Sequence, residues 1–319
     1  MPDDKICYID LGLLIGSSLT YVPNRGIELN FNKALYNLDD IFQISVKEVI
    51  YRQSTDFIGK ARIYQPAGDG PFPCILDVHG GVWNGGSLSD NARMDQILAK
   101  SGIVVVAIDY RLAPSHPYPA QVQDVNYATR WVKSQAGLLN IDNSSIGALG
   151  ASSGGHTAML SAMRPNDPRY SALDLEVSAE YDASLSYVVA MWPVLDGYSR
   201  YLYAVENELD HIKLCSERYF LTQDAMQEGN PQSLLDNNER VVLPPVLIIQ
   251  GTDDLNVPLS IPQKFFDSYR RSGGEAQLEL FPNMPHGFGN RDSTESDRAL
   301  KIVKEFVQAR VSDKHIETT

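Results

Sequence analysis

The stretch Gly150-Ala151-Ser152-Ser153-Gly154 decides the fold of this chain, because of what stands on either side of it. The apolar residues 146–149 are typical of the end of a buried strand, and residues 155–160 are typical of the start of a helix. A sharp turn between a strand and a helix strains its central residue, so small neighbours are needed on both sides. The pattern therefore predicts a nucleophile elbow that lifts the Ser152 hydroxyl above the edge of a sheet.

Strands and helices alternate around this turn. Residues 44–52 and 58–64 alternate between apolar and polar side chains and predict two antiparallel strands. Further strands are predicted, mostly as continuous apolar runs, at residues 73–78, 103–108, 146–149, 187–194, 246–250 and 277–281, and helices at residues 118–135, 261–271 and 297–311. The alternation predicts a mostly parallel, doubly wound α/β sheet, which binds its ligands beyond the carboxyl ends of its strands.

Two segments interrupt the alternation. Residues 1–43 predict an irregular N-terminal arm with one short helix around residues 32–38. Residues 196–240 are polar with interspersed aromatic residues, and they are much longer than the ~2–6 residues usual for a connection in an α/β unit. We predict that they form a helical cap insertion within a main domain of residues 44–319, and an irregular surface excursion is the alternative.

Composition excludes several classes of function. The chain has 319 residues and a formal net charge of -13, whereas a protein that binds nucleic acid needs a basic surface. Its three cysteines are too few and too scattered for a disulfide framework or a zinc site, so no metal or cofactor is expected. Residues 1–5 lack the basic start of a secretory signal, and the apolar run 11–19 is shorter than the ~18 residues of a membrane span. A cytoplasmic location without a membrane partner is the default expectation.

A reactive serine needs a base, and the base needs an acid that orients it. On an elbow of this kind the acid and then the histidine follow the serine along the chain. Of the downstream histidines, His211 falls in the insertion and His315 in a polar tail. His286 follows a predicted strand directly, in a loop with Pro285 and Gly287, so its position selects it as the base.

The acid is expected in the loop 251–258, which follows a predicted strand and contains two adjacent carboxylates, Asp253 and Asp254. Successive side chains at a strand exit point apart, so only one of the two can face the imidazole. The Gly-x-x-Asp-x-x-Val-Pro pattern of the loop favours Asp254, with Asp253 as the alternative.

Backbone donors for an oxyanion are expected near the nucleophile. The stretch His79-Gly80-Gly81-Val82-Trp83 follows a predicted strand, and its paired glycines would let the backbone approach a carbonyl group closely. We predict an oxyanion hole from the amides of Gly80, Gly81 and Ser153, and a plain glycine turn is the structural alternative. His79 precedes the serine and is expected to anchor the loop.

Aromatic and polar residues at the strand ends and in the insertion predict the substrate pocket. They are Val82, Trp83, Trp192, Asp196, Tyr198, Tyr201 and Phe288, with Asn84 beside Trp83. Any of the aromatic residues could instead belong to the core, which is the commoner position of Trp and Phe.

The stretch Asp109-Tyr110-Arg111-Leu112-Ala113-Pro114 carries a family likeness. Together with His-Gly-Gly before it and Gly-x-Ser-x-Gly-Gly after it, it resembles the hormone-sensitive-lipase-like esterases over about residues 73–160, and the resemblance to α/β-hydrolases extends to the C-terminus. The resemblance implies an eight-stranded sheet with a helical cap. From the residues themselves, Asp109 and Arg111 are expected to pair.

Two features depart from that family. Val82 stands where the family usually has a third glycine, which narrows the loop and argues against esters of bulky or tertiary alcohols. The acid loop and the His-Gly-Gly-x-Trp sequence instead resemble kynurenine-formamidase-like esterases.

The sequence therefore favours a serine hydrolase that cleaves a small or medium carboxylic ester through an acyl-enzyme, with Ser152, His286 and Asp254 as the triad. An amidase or arylformamidase with the same triad is one alternative, because His286 could protonate an amine leaving group and the Trp83 loop would suit an aromatic substrate. A non-catalytic receptor for a small ligand is another, although such a protein would be expected to lose a triad residue. A small-molecule ester or amide is the expected partner. The pattern is compatible with a homodimer through the last helix and its neighbouring strand but does not require one.

Overall fold

The computed structural model describes residues 41–175 and 181–313. Its strands are β1 (Ile44–Gln53), β2 (Ile58–Pro66), β3 (Phe72–Val78), β4 (Val104–Ile108), β5 (Ile141–Ala151), β6 (Val188–Met191), β7 (Val246–Gly251) and β8 (Ala276–Phe281). Its helices are α1 (Ala92–Lys100), α2 (Ala120–Ser134), α3 (Ser153–Met163), α4 (Gly197–Glu206), α5 (Asp210–Phe220), α6 (Gln223–Glu228), α7 (Pro231–Asp236), α8 (Ser260–Arg271) and α9 (Thr294–Asp313). Most of the predicted N-terminal arm, including the helix at 32–38, lies outside the described residues.

The strands form one eight-stranded sheet in the order β1-β2-β4-β3-β5-β6-β7-β8. β2 pairs antiparallel with β1 and β4, and the other neighbours pair in parallel. Every residue of β3, β4 and β7 is buried, as expected for apolar strands covered on both faces. The mostly parallel, doubly wound sheet predicted from the sequence is confirmed.

The two faces of the sheet pack into separate hydrophobic clusters. Because side chains alternate along a strand, Leu76 of β3 joins the cluster that includes residues of α2, α3 and α8, and Ile75 joins the cluster of α1 and α9. Helices therefore cover both faces of the sheet, and the loops at its carboxyl edge begin at buried strand ends.

β5, predicted at residues 146–149, is longer than expected at Ile141–Ala151, and β6 is shorter than expected. Residues 187–194 predict one strand, but β6 ends at Met191. Trp192 has a positive φ of 41°, and Pro193 after it cannot donate to a strand ladder. The chain therefore leaves the sheet at Trp192, close to the elbow.

The predicted pairing of Asp109 with Arg111 was wrong. Arg111 Nε lies 2.9 Å from Oδ2 of Asp124 on α2, and Asp109 Oδ1 accepts a hydrogen bond from the Leu88 backbone N–H at 2.8 Å. Arg52 of β1 also contacts Asp124, at 3.1 Å. The motif thus joins α2 to the edge of the sheet.

Four helices, α4 to α7, lie between β6 and β7, in the segment for which the sequence predicts a cap. Their buried residues include Tyr201, Tyr219 and Phe220, which cluster with Trp83. Among the residues described, no helix is long and apolar enough to cross a lipid bilayer.

Candidate active site

The turn around Ser152 has the geometry of a nucleophile elbow. Ser152 has φ 55° and ψ -119°, between the end of β5 and the start of α3. A Cβ on Gly154 would lie 2.1 Å from the carbonyl oxygen of Val78, and a Cβ on Gly150 would lie 2.6 Å from that of Gly154. Neither position has room for a side chain, which explains why the motif has glycine on both sides of the serine.

Ser152, His286 and Asp254 form a continuous hydrogen-bonded chain. His286 Nε2 lies 2.9 Å from Ser152 Oγ, and His286 Nδ1 lies 2.7 Å from Asp254 Oδ2. The three side chains stand on loops after β5, β8 and β7, all at the carboxyl edge of the sheet. These distances place the imidazole within reach of the hydroxyl proton.

The surroundings of Asp254 keep its carboxylate charged. Oδ1 accepts hydrogen bonds from the backbone N–H groups of Asn256 and Val257, each at 2.8 Å, and Oδ2 accepts one from Gln250 Nε2 at 2.9 Å. Burial raises the pKa of Asp254, but the hydrogen bond and charge of His286, with these donors, outweigh it and hold the pKa below its usual value. A charged Asp254 keeps the proton of His286 on Nδ1, so that Nε2 can accept the proton of the serine.

Asp253, the alternative acid, points elsewhere. Its side chain is exposed and accepts a hydrogen bond from Thr252 Oγ1 at 3.1 Å. Of the two adjacent carboxylates, the structure therefore brings Asp254 to the imidazole.

The glycine loop, residues 79–83 directly after β3, has a strained backbone. Gly81 has φ +111°, and Val82 and Trp83 have φ values of 54° and 61°. A Cβ on Gly81 would lie 2.2 Å from the carbonyl oxygen of Gly85. The Trp83 backbone N–H donates to Ser153 Oγ at 3.2 Å, which joins this loop to the first residue of α3. His79 Nδ1 lies 2.7 Å from the carbonyl oxygen of Gly80, consistent with an anchoring role.

A small cleft of about 240 Å³ opens at these residues. It is lined by Gly80, Gly81, Val82, Asp90, Asn91, Ala151, Ser152, Trp192, Asn256, His286, Gly287 and Asn290. The lining is mostly small and polar, and its aromatic residue Trp192 has its ring 6.4 Å from the ring of His286. Such a cleft fits a small acyl group better than a long one.

Only two of the seven predicted substrate residues, Val82 and Trp192, line this cleft. The prediction for Trp83 needs correction, because its side chain is fully buried and stacks on Tyr219, with ring centroids 4.6 Å apart. Phe288 packs in the core against Trp192 and Phe281. These aromatic residues belong to the interior, the alternative that their residue types allowed.

The predicted pocket residues of the insertion also have structural partners instead. Asp196 caps α4 by accepting from the Ser199 backbone N–H at 3.0 Å. The hydroxyl groups of Tyr198 and Tyr201 face Gln223 and Glu217, at 3.4 Å and 3.0 Å. Asn84 donates to the carbonyl oxygen of Cys215 on α5.

Four polar residues of the cleft were not predicted from the sequence: Asp90, Asn91, Asn256 and Asn290. Asn256 belongs to the acid loop and could have been found from its position two residues after Asp254. The others follow turns whose geometry no sequence motif marks.

This fold and this arrangement of serine, histidine and acid define an α/β-hydrolase. The comparison with family models is more specific: the chain belongs to the BD-FAE family, whose model matches residues 62–268. This match covers the sheet from β2 to β7, with the elbow and the acid loop.

Curated relatives and solved structures are esterases. The chain is 28% identical over 243 residues to Esterase LipC of Mycobacterium tuberculosis, covering 74% of this chain and 58% of the relative. It is 26% identical over 254 residues to the probable carboxylic ester hydrolase LipM of the same organism, covering 77% and 56%. The chain thus spans a little over half the length of these relatives.

Among solved structures, esterase 2 of Thermogutta terrifontis phosphorylated by paraoxon is 27% identical, with a TM-score of 0.66, over 83% of this chain and 93% of that one. Esterase B of Lactobacillus rhamnosis, at 21% identity and a TM-score of 0.73 over 88% and 93% of the two chains, supports the fold. The resemblance to esterases of the α/β-hydrolase fold is confirmed, and the resemblance to kynurenine formamidases stays a prediction.

Proposed function

We propose that this chain is a serine carboxylesterase that cleaves small or medium acyl esters through an acyl-enzyme on Ser152. The observation that carries the proposal is the hydrogen-bonded chain from Ser152 Oγ through His286 to the buried carboxylate of Asp254. The esterase relatives support the same reaction class.

In the proposed reaction, Ser152 Oγ attacks the ester carbonyl while His286 Nε2 takes the hydroxyl proton. The carbonyl oxygen becomes an oxyanion, which the backbone amides of Gly80, Gly81 and Ser153 would bind, each worth on the order of 3 kcal/mol. His286 then gives its proton to the departing alcohol, which leaves the acyl group on Ser152. Water, activated by the same imidazole, attacks the acyl-enzyme and releases the acid.

The size of the cleft supports the short acyl chain in this proposal. Its volume is about 240 Å³, and Val82 of the glycine loop and Trp192, directly after β6, are among its lining residues. Structures of Thermogutta terrifontis esterase 2 contain propionate and butyrate, which are acids of this length.

The amidase alternative loses one of its supports. Its preference for an aromatic substrate depended on a pocket formed by Trp83, and that side chain is buried against Tyr219. Arylamide cleavage therefore becomes an outcome of the test.

The test compares hydrolysis of p-nitrophenyl acetate, butyrate and octanoate by the wild-type protein and by Ser152→Ala. We expect turnover that falls by about 10⁴-fold or more in Ser152→Ala, as is usual when a triad residue is removed. We expect acetate and butyrate esters to be preferred over octanoate. The matched control Ser134→Ala, at the end of α2, should keep full activity because its hydroxyl contacts the Trp131 carbonyl oxygen and the Gln135 side-chain amide, neither of which lines the cleft.

Labelling with paraoxon separates the mechanism from the preference. One diethyl phosphoryl group should attach to wild type and to Ser134→Ala, and none to Ser152→Ala. Equal ester turnover in wild type and Ser152→Ala would overturn the proposal. Faster cleavage of N-formyl or N-acetyl arylamines than of the esters would replace it with the amidase.

A further inference from the structure

His156 is a fully buried histidine that the proposed mechanism does not use. It lies on α3, one helical turn after Ser152, and none of its side chain is exposed. Its two ring nitrogens contact different parts of the protein. The indole Nε1 of Trp83 lies 3.2 Å from His156 Nδ1, and the carbonyl oxygen of Gly229 lies 2.6 Å from His156 Nε2.

These two partners fix the protonation state of the ring. An indole N–H can only donate a hydrogen bond, and a carbonyl oxygen can only accept one. His156 Nδ1 must therefore be the bare acceptor, and Nε2 must carry the proton. Burial, the main cause, lowers the pKa of His156 to about 4, so the ring is neutral near neutral pH. A second proton on Nδ1 would face the N–H of Trp83 and break the contact.

Trp83 connects this histidine to the glycine loop. It follows Gly81 and Val82 directly, and it has a positive φ of 61° that only firm contacts can hold. Its backbone N–H donates to Ser153 Oγ, its indole N–H to His156, and its ring stacks on Tyr219. Two of these contacts run to the first turn of α3, so the position of the glycine loop relative to the nucleophile depends on Trp83.

Gly229 connects the same histidine to the insertion. It lies between α6 and α7, and its N–H donates to the Ala225 carbonyl oxygen at 2.9 Å. A Cβ on Gly229 would lie 2.7 Å from the ring of Tyr118, so the backbone there is closely packed. One imidazole therefore joins three parts of the chain: the glycine loop, the elbow helix and the insertion.

We propose that His156 is a positioning residue, which holds Trp83 and thereby the Gly80–Gly81 amides at the correct distance from Ser152, with the Gly229 carbonyl group as its own support. This inference rests on the proposed function, because it concerns the geometry of the oxyanion site. Oxyanion donors act on the transition state more than on the bound ester, so a displaced loop lowers kcat and leaves KM nearly unchanged.

The test uses three variants, with kcat and KM measured per active site after titration with paraoxon, so that unfolded protein is not counted. Trp83→Phe keeps an aromatic ring for stacking but removes the indole N–H. His156→Leu removes both hydrogen bonds. His156→Gln restores one acceptor and one donor. Tyr269→Phe, which removes a buried hydrogen bond to the Pro244 carbonyl oxygen, is the control for general loss of packing.

We expect kcat to fall about tenfold in Trp83→Phe and further in His156→Leu, with KM within about twofold of wild type. His156→Gln should recover most of the loss, but not when it is combined with Trp83→Phe, which has no indole N–H to donate to the amide oxygen. The affinity for a short alkyl trifluoromethyl ketone, which forms a tetrahedral adduct, should fall in parallel with kcat/KM. Tyr269→Phe should keep the wild-type kcat.

An unchanged kcat per titrated site in Trp83→Phe and His156→Leu would overturn the inference, as would a His156→Gln variant no better than His156→Leu. If His156→Leu does not fold, Trp83→Phe alone decides. These failures all leave wild-type turnover and its dependence on Ser152 intact. Loss of the proposed function is distinct, because wild type would then show no turnover that Ser152→Ala abolishes, and both proposals would fall together.

Discussion

Two buried carboxyl groups of the same sheet, Asp254 after β7 and Asp77 on β3, differ in the number of their hydrogen bonds and in the direction of their pKa shifts. Asp254 accepts four hydrogen bonds, two from backbone N–H groups and the others from Gln250 and His286. Asp77 accepts one from Asn91, at 2.9 Å, and its Oδ2 has no hydrogen-bond partner among the described residues. The pKa of Asp254 is lowered, whereas burial raises the pKa of Asp77 to about 7.

The neighbours of Asp77 strengthen the contrast. Asp95 on α1 is also fully buried, and burial, with the nearby Asp77, raises its pKa well above the usual value. Neither Asp95 oxygen has a hydrogen-bond partner in the described part of the chain. All three carboxyl groups are buried, so the number of donors around each one, rather than burial, decides whether it stays charged. The donors around Asp254 stabilise its charged form, whereas the surroundings of Asp77 and Asp95 favour the protonated, neutral form.

The largest effect is expected from Asp254→Asn, which keeps the shape of the side chain and removes its charge. The amide would favour the wrong tautomer of His286, with the proton on Nε2, so that the ring could not accept the proton of Ser152. We expect kcat to fall about 10⁴-fold with a small change in KM. Hydrolysis of p-nitrophenyl butyrate by titrated enzyme measures it.

Asp253→Asn is the matched control for that experiment, since it makes the same change one residue earlier. The Asp253 side chain is exposed, so the variant should keep wild-type activity within about twofold. A loss in Asp253→Asn as large as that in Asp254→Asn would show that the acid has been assigned to the wrong residue.

Asp77→Asn should affect stability instead, with a sign set by pH. The folded pKa of Asp77 lies above its unfolded value, so the native state binds more protons between about pH 4 and pH 7. The contribution of Asp77 to the free energy of unfolding is therefore fully present below about pH 4. It is lost as pH rises from about 4 through about 7, and the total loss is up to about 4 kcal/mol. Asparagine is neutral at every pH, so the stability of Asp77→Asn relative to wild type should be greater at pH 8 than at pH 5, by about 3 kcal/mol.

Urea unfolding at the two pH values measures this difference. Asp267→Asn is the control, because it neutralises an exposed carboxylate on α8 and should shift stability equally at both. A difference between Asp77→Asn and wild type that does not grow with pH would mean that Asp77 is charged in the folded protein, and the contrast with Asp254 would disappear.

Sequence and structure agree where a motif constrains the backbone. Glycines that cannot bear a side chain mark the elbow, and apolar runs mark strands buried on both faces, so the sheet and the positions of Ser152, His286 and Asp254 followed from local patterns. The order of the three residues along the chain removed the other histidines. These signals depend on single turns and strand ends, which local sequence determines.

The lining of the cleft depended on long-range packing and was mostly missed. Trp83 follows the predicted oxyanion glycines, yet its ring turns inward because Tyr219 and His156, 136 and 73 residues away, receive it. Asp196 was predicted in the pocket because it is polar and follows a predicted strand. Its carboxylate instead caps α4, where it accepts a hydrogen bond from the Ser199 backbone N–H. Asp77 lies in an apolar run and Asp95 in a helix of mixed polarity, and neither pattern shows how many hydrogen-bond donors the carboxyl group will have.

The smallest effect is expected from Gln250→Leu, which removes one of the four hydrogen-bond donors of Asp254 and so makes its surroundings more like those of Asp77. Gln250 is fully buried, and its Nε2 donates to Asp254 Oδ2, while its Oε1 has no hydrogen-bond partner in the described residues. Leucine removes one donor from the carboxylate, the longer contacts of Nε2 with the Gly251 and Val257 carbonyl oxygens, and the unsatisfied acceptor, so folding should be largely preserved at neutral pH.

With three donors left, the pKa of Asp254 should rise but stay on the charged side at neutral pH, and kcat should fall about three- to tenfold. Because the folded pKa of Asp254 lies below its unfolded value, the charged carboxylate stabilises the fold at neutral pH, and this contribution is lost as pH falls. A smaller pKa shift in Gln250→Leu gives a smaller contribution, so the midpoint of its acid unfolding should move to higher pH. Gln232→Leu, which replaces a buried glutamine of α7 that donates to Asp236 and Ser268 and has no hydrogen bond with Asp254, should leave kcat unchanged. If Gln250→Leu keeps the wild-type kcat and the wild-type midpoint of acid unfolding, the two backbone N–H groups and His286 are sufficient to keep Asp254 charged. The contrast with Asp77 would then come from the backbone turn of the acid loop and not from the number of donors.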